Sequence, residues 1–180
     1  MRLPAVDEQS NADLKEIFGT IAQTRGKVSD VLRGLGHAPD GLRAFAAYGE
    51  YVRYRTTLSG RARELTILAL ARGNQYAWTH HAPVALKEGV TQAELDELNQ
   101  GQLAKSLSGA ERAAIQYARE FAQGGNVSDA TFASAREKFG DRGITDITLL
   151  CGYFIALAAV INALHIDLEA DRAPMMKPVG

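Results

Sequence analysis

Cysteine is almost missing from this sequence: Cys151 is the one thiol in 180 residues. No intrachain disulfide can form, and no cysteine-only metal cluster can be built. A cytosolic protein is therefore expected. An excess of charge is missing too. Twenty Lys and Arg stand against 21 Asp and Glu, a formal net charge of −1, and no block of like charges occurs. Nothing in that balance draws the chain to nucleic acid or to an anionic membrane. Gly124-Gly125 and Gly140 to Gly143 do not follow strands, so no glycine-rich phosphate loop is expected, and no serine elbow appears. Met1-Arg2-Leu3-Pro4 runs into Asp7-Glu8 with no apolar leader segment. The most hydrophobic stretch, 144–168, carries Thr145, Asp146, Thr148, Asn162, His165 and Asp167. A membrane span needs about 20 predominantly apolar residues, so a buried core or interface helix is expected instead.

What is present reads as helix throughout. The length suits one domain, residues 1–180, with one sizeable core. Ser10-Asn11-Ala12-Asp13 supplies caps for a first helix to about Arg25, and 27–36 forms a short amphipathic piece. Pro39 suits the first turn of a helix to about Arg55, with Leu42, Phe45, Ala46, Gly49 and Val52 on its apolar side. Ser59 precedes a strong helix over 61–72. Gly73 breaks it, and Asn74 caps the next, 75–88, in which Pro83 removes one backbone bond and predicts a bend near Thr79. Thr91-Gln92-Ala93-Glu94 and Ser108-Gly109-Ala110-Glu111 are capping boxes. Helices follow over about 92–99, 109–123, 129–139 and 145–169. Strand-type alternation, repeats and linkers do not occur, so the fold class is all-α with six to eight helices.

The chemistry-bearing residues cluster around the break at Gly73. Glu64 lies one turn into its helix, and Tyr76, Trp78, His80 and His81 come in the next. A carboxylate and an imidazole together can move protons. Adjacent helical residues point about 100° apart, so His80 and His81 cannot face one small site alike. His81 shares a face with Asn74 and Ala77; His80 shares one with Tyr76 and Val84. Each residue also has a plainer reading. Glu64 suits the positive helix start and has Arg61 and Arg63 beside it for a surface ion pair. The histidines serve equally as polar surface residues, and Trp78 as core or interface packing. Metal binding is not expected, because adjacent histidines do not have the four-apart spacing of a helical zinc site and only His37 and His165 remain as nitrogen ligands.

Taken together, Arg63-Glu64-Leu65-Thr66-Ile67-Leu68, the run from Gln75 to Ala85 and Lys87-Glu88-Gly89-Val90 resemble the carboxymuconolactone decarboxylase-like superfamily, which includes the AhpD-like alkylhydroperoxidases. Leu35-Gly36-His37-Ala38-Pro39, the segment from Gly49 to Arg55, and the run from Gly152 to Ala163 agree with its lead-in and closing helix. The resemblance spans about Val28 to Leu168. It implies an all-helical fold assembled as a homotrimer or homohexamer. In the redox branch it implies Glu, eleven residues, Cys-x-x-Cys, three residues, His. Here Asn74 and Ala77 stand at the two cysteine positions, His81 at the histidine and Glu64 at the glutamate, two residues closer to Asn74 than in that pattern. Two thiols are needed to attack a peroxide and resolve the product, so thiol peroxidase chemistry is not expected.

The decarboxylase branch of the resemblance works without thiols or any cofactor. The resulting expectation is a cofactor-free acid–base enzyme, of lyase or decarboxylase type, on a small organic acid, lactone or carbonyl compound. His81 would be the acid/base and Glu64 its orienting partner. His80 and Tyr76 would be pocket donors, Arg53 or Arg55 would hold a substrate carboxylate, and Asn74 and Trp78 would complete the pocket. The alternative is a non-catalytic oligomeric binding or scaffold member, or a nominal AhpD-like peroxidase homologue without dithiol activity. Ile147, Leu149, Leu150, Phe154, Ile155, Leu157, Val160, Ile161 and Leu164 put apolar groups on nearly every face of the last helix, which predicts a homo-oligomer. The other expected partner is a small-molecule substrate.

Overall fold

The structure is a computed structural model and describes residues 1–9 and 11–178; Ser10, expected to help cap the first helix, lies outside the described residues. Among them there are eight helices and no strand: α1 (Ala12–Arg25), α2 (Asp30–Gly34), α3 (Pro39–Tyr54), α4 (Gly60–Leu70), α5 (Gln75–Lys87), α6 (Gln92–Asn99), α7 (Gly109–Phe121) and α8 (Asp129–Leu164). The all-α expectation holds.

Side chains fix most of the helix starts. Asn11 accepts hydrogen bonds from the backbone N–H of Asp13 and Leu14. Ser59, Asn74 and Ser128 cap α4, α5 and α8 in the same manner. Both expected capping boxes form, Thr91 with Glu94 and Ser108 with Glu111. Each such cap stabilises its helix by about 1 kcal/mol. One guanidinium joins the two boxes. Arg61, in the first turn of α4, binds Glu94 at 2.7 Å and Glu111 at 2.6 Å. That clamp, with Ser106 and Thr91, draws the Glu94 carboxyl down to about 2.

Helix α4 is the centre of the molecule. It packs against α5, α6, α7 and α8, and Leu65, Ile67 and Leu68 in it are almost wholly buried. Trp78 of α5 is 2% exposed, so it fills the core. Helix α3 lies across α1 and α8. A close approach there requires glycine: a Cβ at Gly49 would sit 2.3 Å from the Tyr153 hydroxyl. Asp146, fully buried in α8, accepts from Tyr51 Oη at 2.6 Å and from Thr57 N–H and Oγ1 at 2.8 and 2.9 Å. This ties the turn after α3 to α8.

The last helix differs from the expectation of separate segments over 129–139 and 145–169. Helical backbone runs from 129 to 164 with one interruption at Gly140, whose φ of 67° is open to glycine. It stops at Leu164 because His165 turns left-handed (φ 49°) and Ile166 N–H returns to the Ile161 carbonyl, a Schellman closure. The apolar residue after the stop, Ile166, is buried by that closure, which is why the hydrophobic pattern reads on past the helix. By length and composition α8 could cross a membrane, but Ile144, Ile147, Leu150, Phe154 and Ile161 are buried within this fold. Beyond α8 the chain returns over α5: Met175 N–H donates to Thr79 Oγ1 at 3.1 Å.

Candidate active site

Glu64 and His81 meet. Glu64 points from the buried side of α4, and His81 from the facing side of α5; both are 3% exposed. Glu64 Oε2 lies 2.8 Å from His81 Nδ1. The shortened spacing from Glu64 to Asn74 therefore does not part them: the break at Ala71–Gly73 reverses the chain so that α5 packs on α4. The edge of the His81 ring meets Phe154, with centroids 5.0 Å apart.

Burial pushes the Glu64 carboxyl up, but His81, Arg53 and Arg63 outweigh it and hold the carboxyl below its ordinary value. Burial, helped by Arg53 and Arg63, holds His81 below its ordinary value in spite of Glu64. At neutral pH the pair is thus a carboxylate and a neutral imidazole. The proton sits on Nδ1, donated to Glu64, and Nε2 keeps its lone pair. Among the described residues Nε2 has no hydrogen-bond partner.

Arg63 Nε donates to the other Glu64 oxygen at 3.3 Å. Arg53 is half-buried, and its charge is felt by Glu64, His81 and Tyr153. It makes no ion pair and no side-chain hydrogen bond among the described residues. Arg55 points elsewhere and pairs with Glu50 on the surface.

His80 and Tyr76 are brought together, but not with Glu64. Their rings stack with centroids 4.5 Å apart, and both bind Glu169 of the returning C-terminal segment. His80 Nε2 is 2.8 Å from Glu169 Oε2, and Tyr76 Oη donates to Oε1 at 3.1 Å. Burial holds His80 below its ordinary value against the pull of Glu169. Burial, with Glu169 adding to it, raises the Tyr76 phenol. Glu169 was not visible in the sequence as a partner, because no fixed spacing links it to a site 89 residues away. Arg63 was visible only as a surface neighbour of Glu64.

The two thiol positions of the redox pattern are occupied by a cap and the bond it makes: Ala77 N–H donates to Asn74 Oδ1 at 3.0 Å. Cys151 is fully buried in α8, and burial pushes its thiol up to about 12. Among the described residues no group of three or more His, Cys, Asp or Glu is placed to hold a metal ion.

Residues 39–120 match the carboxymuconolactone decarboxylase family. These residues run from α3 to α7 and carry both Glu64 and His81. Over that stretch the chain is similar to the carboxymuconolactone decarboxylase family. The likeness in fold extends over nearly the whole chain. An AhpD-core peroxidase-related protein from Ralstonia eutropha JMP134 superposes with a TM-score of 0.80 at 22% identity, covering 97% of each chain. A peroxidase-related protein from Silicibacter sp. TM1040 gives 0.78 at 20% identity, over 95% of this chain and 92% of that one. The debrominase Bmp8, bound to 2,3,4-tribromopyrrole, gives 0.79 at 16% identity, over 94% of this chain and 92% of its own. No curated protein sequence matches the chain.

Proposed function

We propose that this protein is a member of the carboxymuconolactone decarboxylase-like superfamily and a cofactor-free acid–base enzyme, of lyase or decarboxylase type, acting on a small organic acid, lactone or similar carbonyl compound. The observation that carries the reading is the buried Glu64–His81 pair beside an unpaired arginine, Arg53. Glu64 fixes the tautomer and orientation of the ring. Nε2 is then the base: burial holds it below its ordinary value and the carboxylate works against that loss. In proton abstraction, the carbon–hydrogen electron pair passes to the substrate carbonyl as an enolate, and the imidazolium returns the proton at carbon. In decarboxylation, Nε2 of the neutral ring takes the proton of the substrate acid, the carbon–carboxylate bond breaks, carbon dioxide leaves, the electron pair stays as the enolate, and the imidazolium returns that proton to carbon. Arg53 holds a carboxylate or the developing oxyanion.

The near-complete burial of Glu64 and His81 favours a second reading, a non-catalytic oligomeric binding or scaffold member. A thermal-shift panel of small carboxylates and lactones, followed by turnover assays on whatever stabilises the protein, separates the two. Turnover that disappears in His81→Asn supports the enzyme. Stabilisation that His81→Asn leaves intact, with no turnover, supports the binding module.

Assembly belongs to the same proposal. Less than half of the apolar stretch of α8 is buried, and Leu149 and Ile155 are each 37% exposed. The occupant we propose is a second copy of the chain, in the homotrimer or homohexamer that the superfamily resemblance implies. Light scattering of the wild type should give an oligomer and of Ile155→Glu a smaller species; a wild-type monomer at micromolar concentration overturns it. The lone, sealed thiol suits the reducing cytosol. It also predicts no dithiol peroxidase activity, and hydroperoxide turnover that vanishes in Cys151→Ala would overturn that.

A further inference from the structure

At the far end of α4 two arginines share a cleft with no acidic group in its wall. The cleft, about 460 Å³, is lined by Ala69, Arg72, Gly73, Gly101, Arg119 and Gln123. Each arginine is held by a single backbone carbonyl. Arg72 Nε donates to Asn99 O at 3.0 Å, and an Arg119 terminal nitrogen donates to Gln102 O at 3.0 Å. Neither has a carboxylate partner among the described residues.

The contrast within the molecule is direct. Arg61 and Arg63 face two carboxylates each, and Arg33, Arg43 and Arg142 one each. The guanidinium of Arg72 lies against Gly101, where a Cβ would come within 3.0 Å of its central carbon and both terminal nitrogens. Gly101 has a φ of 81°, so its conformation also favours glycine. The backbone thus presents the planar fork with its terminal N–H groups free. Arg119 is half-buried on α7, and burial followed by the nearby Arg72 charge lowers its pKa. Two positive forks are held side by side with their remaining donors unused.

We propose that Arg72 and Arg119 form an oxyanion-binding site, distinct from the Glu64–His81 pair, whose ligand is a phosphate dianion, free or carried on a small organic molecule. A doubly charged tetrahedral anion matches the site. Each guanidinium offers two parallel N–H groups to a pair of phosphate oxygens, and the dianion removes the repulsion between the arginines. Gln123 adds an uncharged amide at the same wall. A simple monoanion such as chloride neutralises one charge and engages no fork.

The test is phosphorus NMR line broadening with titration calorimetry on the full chain, at fixed ionic strength set with chloride. Inorganic phosphate and glycerol phosphate are the two probes. Saturable binding of at least one is expected, weakened roughly tenfold or more in Arg72→Gln and in Arg119→Gln but unchanged in Arg53→Gln. Tighter glycerol phosphate binding would identify an organic carrier, and equal or tighter inorganic phosphate binding the free anion. No saturable binding of either probe overturns the site, as does binding that survives both arginine substitutions or is lost in Arg53→Gln. Should Arg72→Gln unfold through loss of its contact to Asn99, Arg72→Lys keeps the charge and loses the fork. Phosphate affinity unaltered in Arg72→Lys and Arg119→Gln together would likewise overturn the proposal.

Discussion

Two histidines that are neighbours in the chain sit in opposite surroundings. His81 is sealed between α4 and α5, its carboxylate partner drawn from the core helix 17 residues earlier. His80, stacked on Tyr76, takes its carboxylate from the C-terminal segment, 89 residues later. Both pairs are 2.8 Å carboxylate–imidazole contacts, and burial lowers both rings. The difference lies in what holds them. Glu64 is carried by a helix packed on four others, and Arg53 and Arg63 add positive charge around it. Glu169 is carried by a segment outside the helices, with Arg172 at 3.6 Å. The lesson is that a contact distance alone does not distinguish the two pairs; the rigidity and charge of the surroundings do.

The sharpest way to break this comparison is by substitution in each pair. Assayed on a substrate found by the thermal-shift panel, His81→Asn should lower kcat about 10²–10⁴-fold, the usual worth of general acid–base assistance, with the helical fold retained. His80→Asn should change it less than about tenfold under the same principle. Equal losses would put both rings at one site. Next in size is Arg53→Gln. It should raise KM about tenfold or more for a carboxylate substrate, as loss of a charge-assisted bond does, while Arg55→Gln, whose parent is paired with Glu50, should not.

The third concerns acid. The proposed reaction starts from neutral His81, whose folded value lies below the ordinary 6.5. The acidic limb of kcat should therefore fall below pH 6.5. In Glu64→Gln, which removes a partner that favours the charged ring, the limb should move lower still, and a limb above 6.5 would contradict the assignment. Stability follows the same sign. Between the unfolded and folded values of His81 the unfolded chain binds more protons, so stability falls as pH drops below 6.5. Glu64, also depressed, adds a loss below its ordinary 4.5, as the pH falls through its folded value. Melting temperature against pH for wild type and His81→Asn should differ in slope just below 6.5. The smallest effect belongs to the other pair: Glu169→Ala removes the hydrogen bonds to both His80 and Tyr76 and should cost about 1–2 kcal/mol, and it should expose the chain after Leu164 to limited proteolysis. A tail as resistant as wild type would show that Glu169 does not secure it.

The helices were legible because their starts are written locally. Asn11, Ser59, Asn74, Thr91, Ser108 and Ser128 each cap the helix that begins at the next residue. The end of α8 was not, because a histidine in left-handed backbone carries no sequence mark and Ile166 continues the apolar pattern. The Glu64–His81 contact was legible through the superfamily pattern, although Glu64 lies two residues closer to Asn74 than that pattern has it, about half a helical turn. What spacing omits is the turn at 71–73, which sets the packing of α5 on α4. Trp78 resolved to core. Glu169, the lack of any partner for Arg53, and the turn of Arg55 toward Glu50 depend on contacts between distant segments, for which one sequence has no signal.

The Arg61 clamp has a consequence for how the molecule comes apart. Glu94 belongs to α6 and Glu111 to α7, and each is also the box residue of its own helix start. Fraying either start pulls a carboxylate from a guanidinium that anchors the first turn of α4, so three helix beginnings share one latch. In native-state hydrogen exchange the amides of 92–95, 109–112 and 61–64 should then open as a single cooperative unit, with one common free energy of opening. Arg61→Gln should split that unit into separate openings of α6 and α7, and the exchange rates at the two starts would cease to track each other.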